Sequence, residues 1–466
     1  MSVPDWVQDA IFYQIFPDRF ANGDLDNDPP NVQPWGSSPN RWDYQGGDLR
    51  GIIDNFDYLL DLGVNAIYLN PIFHSSANHR YHIIEYNKID PFLGDINDFQ
   101  DLIDIAHGND VRIILDGVLN HCGRGFFAFI NLLENGEYSP YKDWFHVKRF
   151  PLQAYQRGKA SNYKGWWDIK DLPKFNTNNP DVREYLFDMT RFWLEQGIDG
   201  WRLDVPNEID DDGFWSEYRA LVKSINPQAY IVGEIWEVNP RWLDDQHFDG
   251  LMNYPLRDAI IDPLRDKAPS SFLLEKQSEL ESAYPQENIL AMYNALGSHD
   301  TKRVMTKLRG NLAKTKLAYA ALFAFPGAPA IYYGDEVGLR GGLEPASRGA
   351  FLWDDSTWNH ELRAWIKNLI QIRKELIPLR KGRFEPITSN TTDDILLFKR
   401  IYQSQALIVV LNYSNEKRWV KLTSDDIGRP AGHKLRDVLN GAEYLLADSS
   451  LEITVPAFGA AWLEPQ

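Results

Sequence analysis

The 466-residue chain contains a single cysteine, Cys122, so no internal disulfide can form, as expected of a reducing compartment. Positive charge is also scarce. There are 48 Lys and Arg against 66 Asp and Glu, a formal net charge of −18. Phosphate backbones and anionic membranes repel such a chain, which argues against nucleic-acid and membrane partners. Long apolar runs are missing too. The longest, "ALFAFPGAPAIYY", is broken by Pro326 and Pro329 and is too short for a bilayer. The opening "MSVPDWVQDA" has neither the basic nor the apolar region of a signal peptide, so a cytoplasmic location is expected.

Aromatic side chains, by contrast, are plentiful: 16 Trp, 22 Tyr and 24 Phe. Most must be core, because they carry large apolar area. A surplus also suits a sugar binder, since pyranose rings present apolar C–H faces. Location separates the two readings.

Eight short β-like runs recur with helical patterns between them. They are "AIFYQIF" (10–16), "NAIYLNP" (65–71), "VRIILDGV" (111–118), "GWRLDV" (200–205), "YIVGEIW" (230–236), "GLMNYP" (250–255), "ILAMYNAL" (289–296) and "AIYYG" (330–334). The alternation predicts an α/β fold, a closed (β/α)₈ TIM barrel over residues 1–121 and 176–380. About fifty residues without a helical pattern follow the third strand, which predicts an inserted subdomain over 122–175. From 381 to 466 the pattern turns to period two, as in "DDILLFKRIY" and "ALIVVLNYS". That region reads as an antiparallel β-sandwich.

Strand "GWRLDV" holds Arg202 and Asp204 two residues apart, hence on one face of a buried element. Burying two charges is costly unless they are paired or used. Three other runs deliver acids to the C-terminal ends of strands, where barrel active sites lie: Asp116, Glu234 and Asp300. A lone acid is more often an ion-pair partner or helix cap. Four converging on one mouth repel one another, which points to catalysis or metal binding. Glycoside hydrolysis needs such a set: one carboxylate for the anomeric carbon and one protonated carboxyl for the leaving oxygen.

Four motifs, "DGVLNH" (116–121), "GWRLDVPNE" (200–208), "GEIW" (233–236) and "GSHD" (297–300), resemble those of the α-amylase family, glycoside hydrolase family thirteen. The resemblance implies Asp204 as nucleophile, Glu234 as general acid/base and Asp300 as the third carboxylate. It implies that Arg202, His121 and His299 bond the nucleophile or the sugar, and that Tyr81 stacks under that sugar. Asp116 and Asn120 are expected to be mainly architectural. "LPKFN" (172–176) and "VPNE" (205–208) are similar to the neopullulanase, cyclomaltodextrinase and maltogenic amylase group, with Lys174 as the discriminating residue. In that group Asn207, Glu208 and Trp236 line the acceptor side. His82, Glu344 and Arg348 fall on the donor side, where His82 and Glu344 replace the usual Asp and predict a narrowed, short donor segment. The sequence begins at the first barrel strand, without the group's N-terminal β-domain, and a homodimer is a further expectation.

Asn22, Asp24, Asn27, Asp28 and Asp48 crowd "FANGDLDNDPP" and "GGDL". These are ordinary turn residues, yet spaced oxygens also suit Ca²⁺. The resemblance implies a structural calcium held by them and by the Gly46 carbonyl. The expected function is a retaining α-glucan hydrolase of neopullulanase or cyclomaltodextrinase type, cleaving α-1,4 bonds, with α-1,6 cleavage as a further expectation. Alternatives are an α-1,6-preferring debranching enzyme, a transglycosylase, or a carbohydrate-binding barrel without catalysis. A barrel metallohydrolase is disfavoured by the lack of an HxH pair at the first strand.

Overall fold

The computed structural model describes residues 3–387 and 394–466. Residues 1–2, which open the expected barrel, and 388–393, including Asp393 of "DDILLFKRIY", lie outside the described residues.

Each of the eight β-like runs contributes one parallel strand: β1 (Phe12–Ile15), β2 (Ala66–Leu69), β3 (Arg112–Gly117), β4 (Gly200–Leu203), β5 (Tyr230–Gly233), β6 (Gly250–Leu251), β7 (Tyr293–Ala295) and β8 (Ala328–Tyr332). They pair in the order β6-β5-β4-β3-β2-β1-β8-β7. A parallel bridge between Met252 and Tyr293 joins β6 to β7 and closes the (β/α)₈ barrel. Strand periodicity sorts the side chains. Ile67, Leu69, Ile113, Leu115, Trp201 and Leu203 point outward and pack against the helices. Phe12, Ala66, Ile114, Tyr230 and Tyr293 fill the interior as a dry plug. One layer higher stand Gln14, Tyr68, Asp116 and Arg202, so polar groups occupy the barrel only near its C-terminal mouth.

Several elements are shorter than their sequence runs. β5 ends at Gly233, which leaves Glu234 and Trp236 on the loop above it. "ILAMYNAL" begins as a helical turn, Gln286–Leu290, before β7. A hairpin of Phe73–Ser75 and Ile83–Ile89, unforeseen in the sequence, projects beyond β2 and carries Tyr81 at its tip. The insert after β3 contains a helix, Phe127–Asn135, which the sequence reading placed in irregular chain, and otherwise holds together through isolated bridges. The helix escapes a periodicity reading because apolar residues stand on its solvent side too, with Phe127 and Ile130 exposed while Phe129 and Leu132 are buried.

Beyond residue 382 a six-stranded antiparallel sheet faces a two-stranded one, as the period-two pattern requires. Leu397, Ile408, Val410 and Leu463 point between the sheets. Their neighbours Phe398, Leu407, Val409 and Trp462 join the barrel core, where Phe398 meets Phe325 with ring centroids 4.8 Å apart.

Candidate active site

The site is built around Arg202. Its position on β4 puts it opposite Asp116 of β3 in the ladder, and Nη1 donates to Asp116 Oδ1 at 2.9 Å. The same nitrogen donates to Asp204 Oδ1 at 2.9 Å, and Nη2 makes a 2.9 Å ion-pair contact with Glu234 Oε2. One guanidinium thus serves three buried carboxylates. Asp116 is fixed further by the Tyr68 and Tyr81 hydroxyls, which donate to its Oδ2 at 2.5 and 2.8 Å. Its architectural role is plain: it joins the arginine to the two tyrosines.

Burial pushes the Glu234 carboxyl up to about 7, and the nearby Asp300 and Asp116 charges act in the same direction. Arg202 opposes them. Burial also raises Asp204, helped by Glu234 and Asp116 and opposed chiefly by Arg202. A guanidinium divided among three acids does not fully compensate any one of them. Arg202 bonds Asp204 and is shared with Asp116 and Glu234.

Glu234 Oε2 also accepts the Val205 backbone N–H at 3.1 Å. Val205 has φ 37° and ψ 51°, a left-handed conformation that costs a β-branched residue about 1–3 kcal/mol. The kink turns the chain out of β4 into the turn Pro206–Glu208 and aims this amide at the acid. Lys174 of the insert holds the turn by donating its Nζ to the Glu208 carbonyl, with Glu208 Oε2 at 3.4 Å. Lys174 and Glu208, two separate subgroup markers in the sequence, are therefore direct partners. Asn207 stands exposed beside them. Trp236 lies flat on Tyr254, centroids 3.6 Å apart, and donates Nε1 to Glu234 Oε1 at 3.3 Å.

The opposite wall carries Asp300, His299 and Arg348. His299 Nδ1 faces the amide nitrogens of Gln14 and Asn70 at 2.9 and 3.2 Å. Two donors there assign the ring proton to Nε2, which faces Tyr81 Oη at 2.7 Å and Asp300 Oδ2 at 3.0 Å. Burial, with Arg348 and Arg202 nearby, holds this imidazole well below its ordinary range, so it stays neutral. Tyr81 and His299 stack with rings 9° from parallel. Arg348 bridges Asp300 Oδ1 at 3.1 Å and Glu344 Oε1 at 3.3 Å. The other donor-side position, His82, is half-buried against His79.

His121 is buried, with a pKa lowered to about 3 by burial and by the His82 and Lys174 charges. Its Nε2 has no protein partner among the described residues, which leaves an acceptor or donor for a ligand hydroxyl. Gln14, Asn70, Tyr68 and Val205 were not among the sequence candidates. Gln14 carried a signal, as a polar residue on the buried face of a strand. Val205 carried none.

The residues Asn22, Asp24, Asn27, Asp28, Gly46 and Asp48 do come together, on the loop after β1. Asp48 accepts the Asp24 backbone N–H at 2.8 Å, and Asn22 Nδ2 donates to Asp28 Oδ1 at 2.9 Å. Gly46 adopts φ +82°, and a Cβ there would lie 2.1 Å from Asp28 Oδ1, so only glycine fits. Asn22 Oδ1 and Asn27 Oδ1 are buried acceptors without a protein partner among the described residues. No cluster of three or more His, Cys, Asp or Glu side chains among the described residues is arranged for a metal, so this set depends on amide oxygens.

Comparison with known proteins agrees with this geometry. Residues 14–375 match the family model for the alpha amylase catalytic domain, and residues 384–462 match the maltogenic amylase C-terminal domain. Neopullulanase 2 of Thermoactinomyces vulgaris is 42% identical over 460 residues, 97% of this chain and 77% of that protein. A cyclomaltodextrinase of a Bacillus species is 42% identical over 439 residues, 93% and 75% of the two chains. The solved structure of the cyclic alpha-maltosyl-(1→6)-maltose hydrolase from Arthrobacter globiformis, in complex with that sugar, aligns over 100% of both chains at 38% identity with a TM-score of 0.91. The chain belongs to the α-amylase family of glycoside hydrolases, in the group of the neopullulanases and cyclomaltodextrinases.

Proposed function

We propose that this enzyme hydrolyses α-1,4 bonds of malto-oligosaccharides with retention of configuration, with Asp204 as nucleophile and Glu234 as acid and then base. The observation that carries the reading is that Asp204 and Glu234 are held by neighbouring nitrogens of one guanidinium. Sharing Arg202 favours the short carboxyl separation of retaining enzymes, about 5–5.5 Å, over the wider gap that admits a water in inverting ones. Arg202 holds Oδ1 of Asp204, leaving Oδ2 for the anomeric carbon. Oε2 of Glu234 is held by Val205 and Arg202, leaving Oε1 to carry the proton. Glu234 protonates the leaving oxygen as Asp204 forms the glycosyl ester. The resulting Glu234 carboxylate then takes a proton from water, and that water releases the sugar from Asp204. Asp300 and His299 Nε2–H grip the ring hydroxyls, and Tyr81 packs against the ring face.

Arg348 and Glu344 close the donor side, which supports short products, while the exposed Trp236 platform supports a longer acceptor. The related hydrolase acts on a sugar with a (1→6) linkage, which supports tolerance of α-1,6 bonds here as well. The lone, buried Cys122 is in keeping with a cytoplasmic location. Among the described residues no helix is long and apolar enough to cross a membrane. Proton NMR of maltotriose hydrolysis tests the mechanism. The first reducing sugar appears as the α-anomer; a β-anomer would refute it.

We also propose a structural Ca²⁺ held by Asn22, Asn27, Asp28 and the Gly46 carbonyl, with Asp24 and Asp48 supporting the loop. The two orphaned amide oxygens fit a hard, oxygen-liganded cation. The ion would fasten the loop after β1 and take no part in proton transfer.

A further inference from the structure

We propose that the inserted segment carries a second sugar-binding subsite, outside the cleavage centre, with Trp167 as its platform. It rests on the α-glucan reading above and extends that reading to longer chains.

Trp167 is 74% exposed, an unusual state for so large an apolar ring. Its backbone makes the exposure deliberate. Trp167 (φ 49°) and Asp168 (φ 59°) are consecutive left-handed residues, and neither is glycine or asparagine. A bulky residue in this region is strained, and such strain persists only where surrounding bonds enforce it. Here they do: Trp166 N–H bonds the Leu172 carbonyl at 2.9 Å, Ala160 N–H bonds the Asp168 carbonyl at 2.7 Å, and Lys159 pairs with Asp168 at 3.2 Å. Gly165 permits the turn, since a Cβ there would lie 2.2 Å from the Ile169 carbonyl oxygen. The segment is built to hold an indole in solvent.

The indole is not isolated. It stacks on Trp166 with centroids 4.7 Å apart and planes 13° apart, and Trp166 stacks on His121 at 5.3 Å and 17°. Three parallel rings therefore run outward from a residue of the cleavage site. Trp166 keeps a buried Nε1–H without a protein partner among the described residues. Beside Trp167 opens a cavity of about 440 Å³, within the size range of small-molecule sites. Arg124, Lys159, Asp168, Lys170 and Asp171 line it with Trp167. Arg124 and Asp171 pair at 3.1 Å, and Gly123, next to Arg124, donates its N–H to the Ile83 carbonyl at 2.7 Å, which ties this part of the insert to the loop that carries Tyr81 and His82. An apolar ring face flanked by paired charges is the chemistry that recognises a pyranose: C–H groups on the indole, hydroxyls on carboxylate and guanidinium. A neutral oligosaccharide fits it better than an anion, because Arg124 and Lys159 are paired with Asp171 and Asp168, and Lys170 Nζ is taken up by the Gln156 carbonyl at 2.8 Å.

The test compares maltoheptaose with maltotriose. In Trp167→Ala the ratio of kcat/KM for the long over the short substrate falls at least about fivefold, and Trp167→Phe restores most of it. Trp419→Ala, which removes another exposed tryptophan, leaves the ratio unchanged. An unchanged ratio in Trp167→Ala, or an equal loss on both substrates, overturns the subsite. If the wild type hydrolyses neither substrate, the proposed function fails instead. Calorimetric binding of maltoheptaose to Glu234→Gln with and without Trp167→Ala then decides the subsite alone. Weaker binding upholds it, and equal binding overturns it.

Discussion

At the N-terminal ends of the barrel strands, buried carboxylates have a cation of their own, and one of them has two. Asp249, just before β6, meets Lys223 Nζ at 2.7 Å and Arg219 Nη1 at 2.9 Å, and accepts the Ile231 N–H. Asp199, just before β4, pairs with Arg112 at 2.9 Å, lies 2.9 Å from His107 Nε2 and accepts the Ile113 N–H. At the C-terminal ends the proportion is reversed, with Arg202 divided among Asp116, Asp204 and Glu234. Both ends bury charge in the same sheet. Where a carboxylate has its own cation, it is a structural anchor; where the cation is shared, a carboxyl keeps a proton it can give away. Burial raises Glu234 most, and a guanidinium shared among three acids does not bring it back down.

Substitution should split the two ends cleanly. Asp204→Asn and Glu234→Gln are expected to lose at least about three orders of magnitude in kcat while remaining folded and still binding oligosaccharide, because each removes a covalent or proton-transfer role. Steady-state kinetics with maltotriose checks this, and a variant keeping a tenth of wild-type activity would overturn the roles. Asp249→Asn should do the opposite. It leaves two buried cations without their anion and should cost about 3–5 kcal/mol of stability in urea unfolding. Its kcat per folded molecule should stay near wild type. A large loss of kcat at intact stability would erase the distinction between the ends.

A smaller effect concerns the loop after β1, which belongs to neither charged cluster. A strong chelator should lower the melting temperature by a few degrees, as expected when a ligand bound only to the folded state is removed. Activity at moderate temperature should persist. Loss of catalysis with an unchanged melting temperature would assign the ion a different role.

The sequence disclosed the mouth better than its surroundings. Arg202 and Asp204 were legible because strand periodicity puts both on one buried face, and buried charge calls for an explanation. The four acids were legible because each lies in or shortly after an apolar run. Strand limits were less so: the apolar character of "YIVGEIW" continues past Gly233 although the chain has left the sheet. Gln14 on β1 and Asn70 just past β2, which set the His299 tautomer, lie far from His299 in the chain and reach it only through the strand order of the sheet. Val205 and Trp167 were illegible for another reason. Left-handed turns are signalled by glycine or asparagine, and these two positions adopt them without either.

The claim that Glu234, buried and given only a share of one guanidinium, keeps its proton is tested most directly by unfolding free energy against pH, in the wild type and in Glu234→Gln. Folded Glu234 holds its proton up to about 7, whereas in the unfolded chain the proton leaves near the ordinary glutamate value of about 4.3. The folded state therefore binds more protons across that window, and the wild type loses stability there as pH rises. Relative to Glu234→Gln, the wild type should lose on the order of 1–3 kcal/mol between about pH 4.5 and 7, with little change outside that range. Parallel curves, or a wild type that gains on the variant as pH rises, would contradict the account.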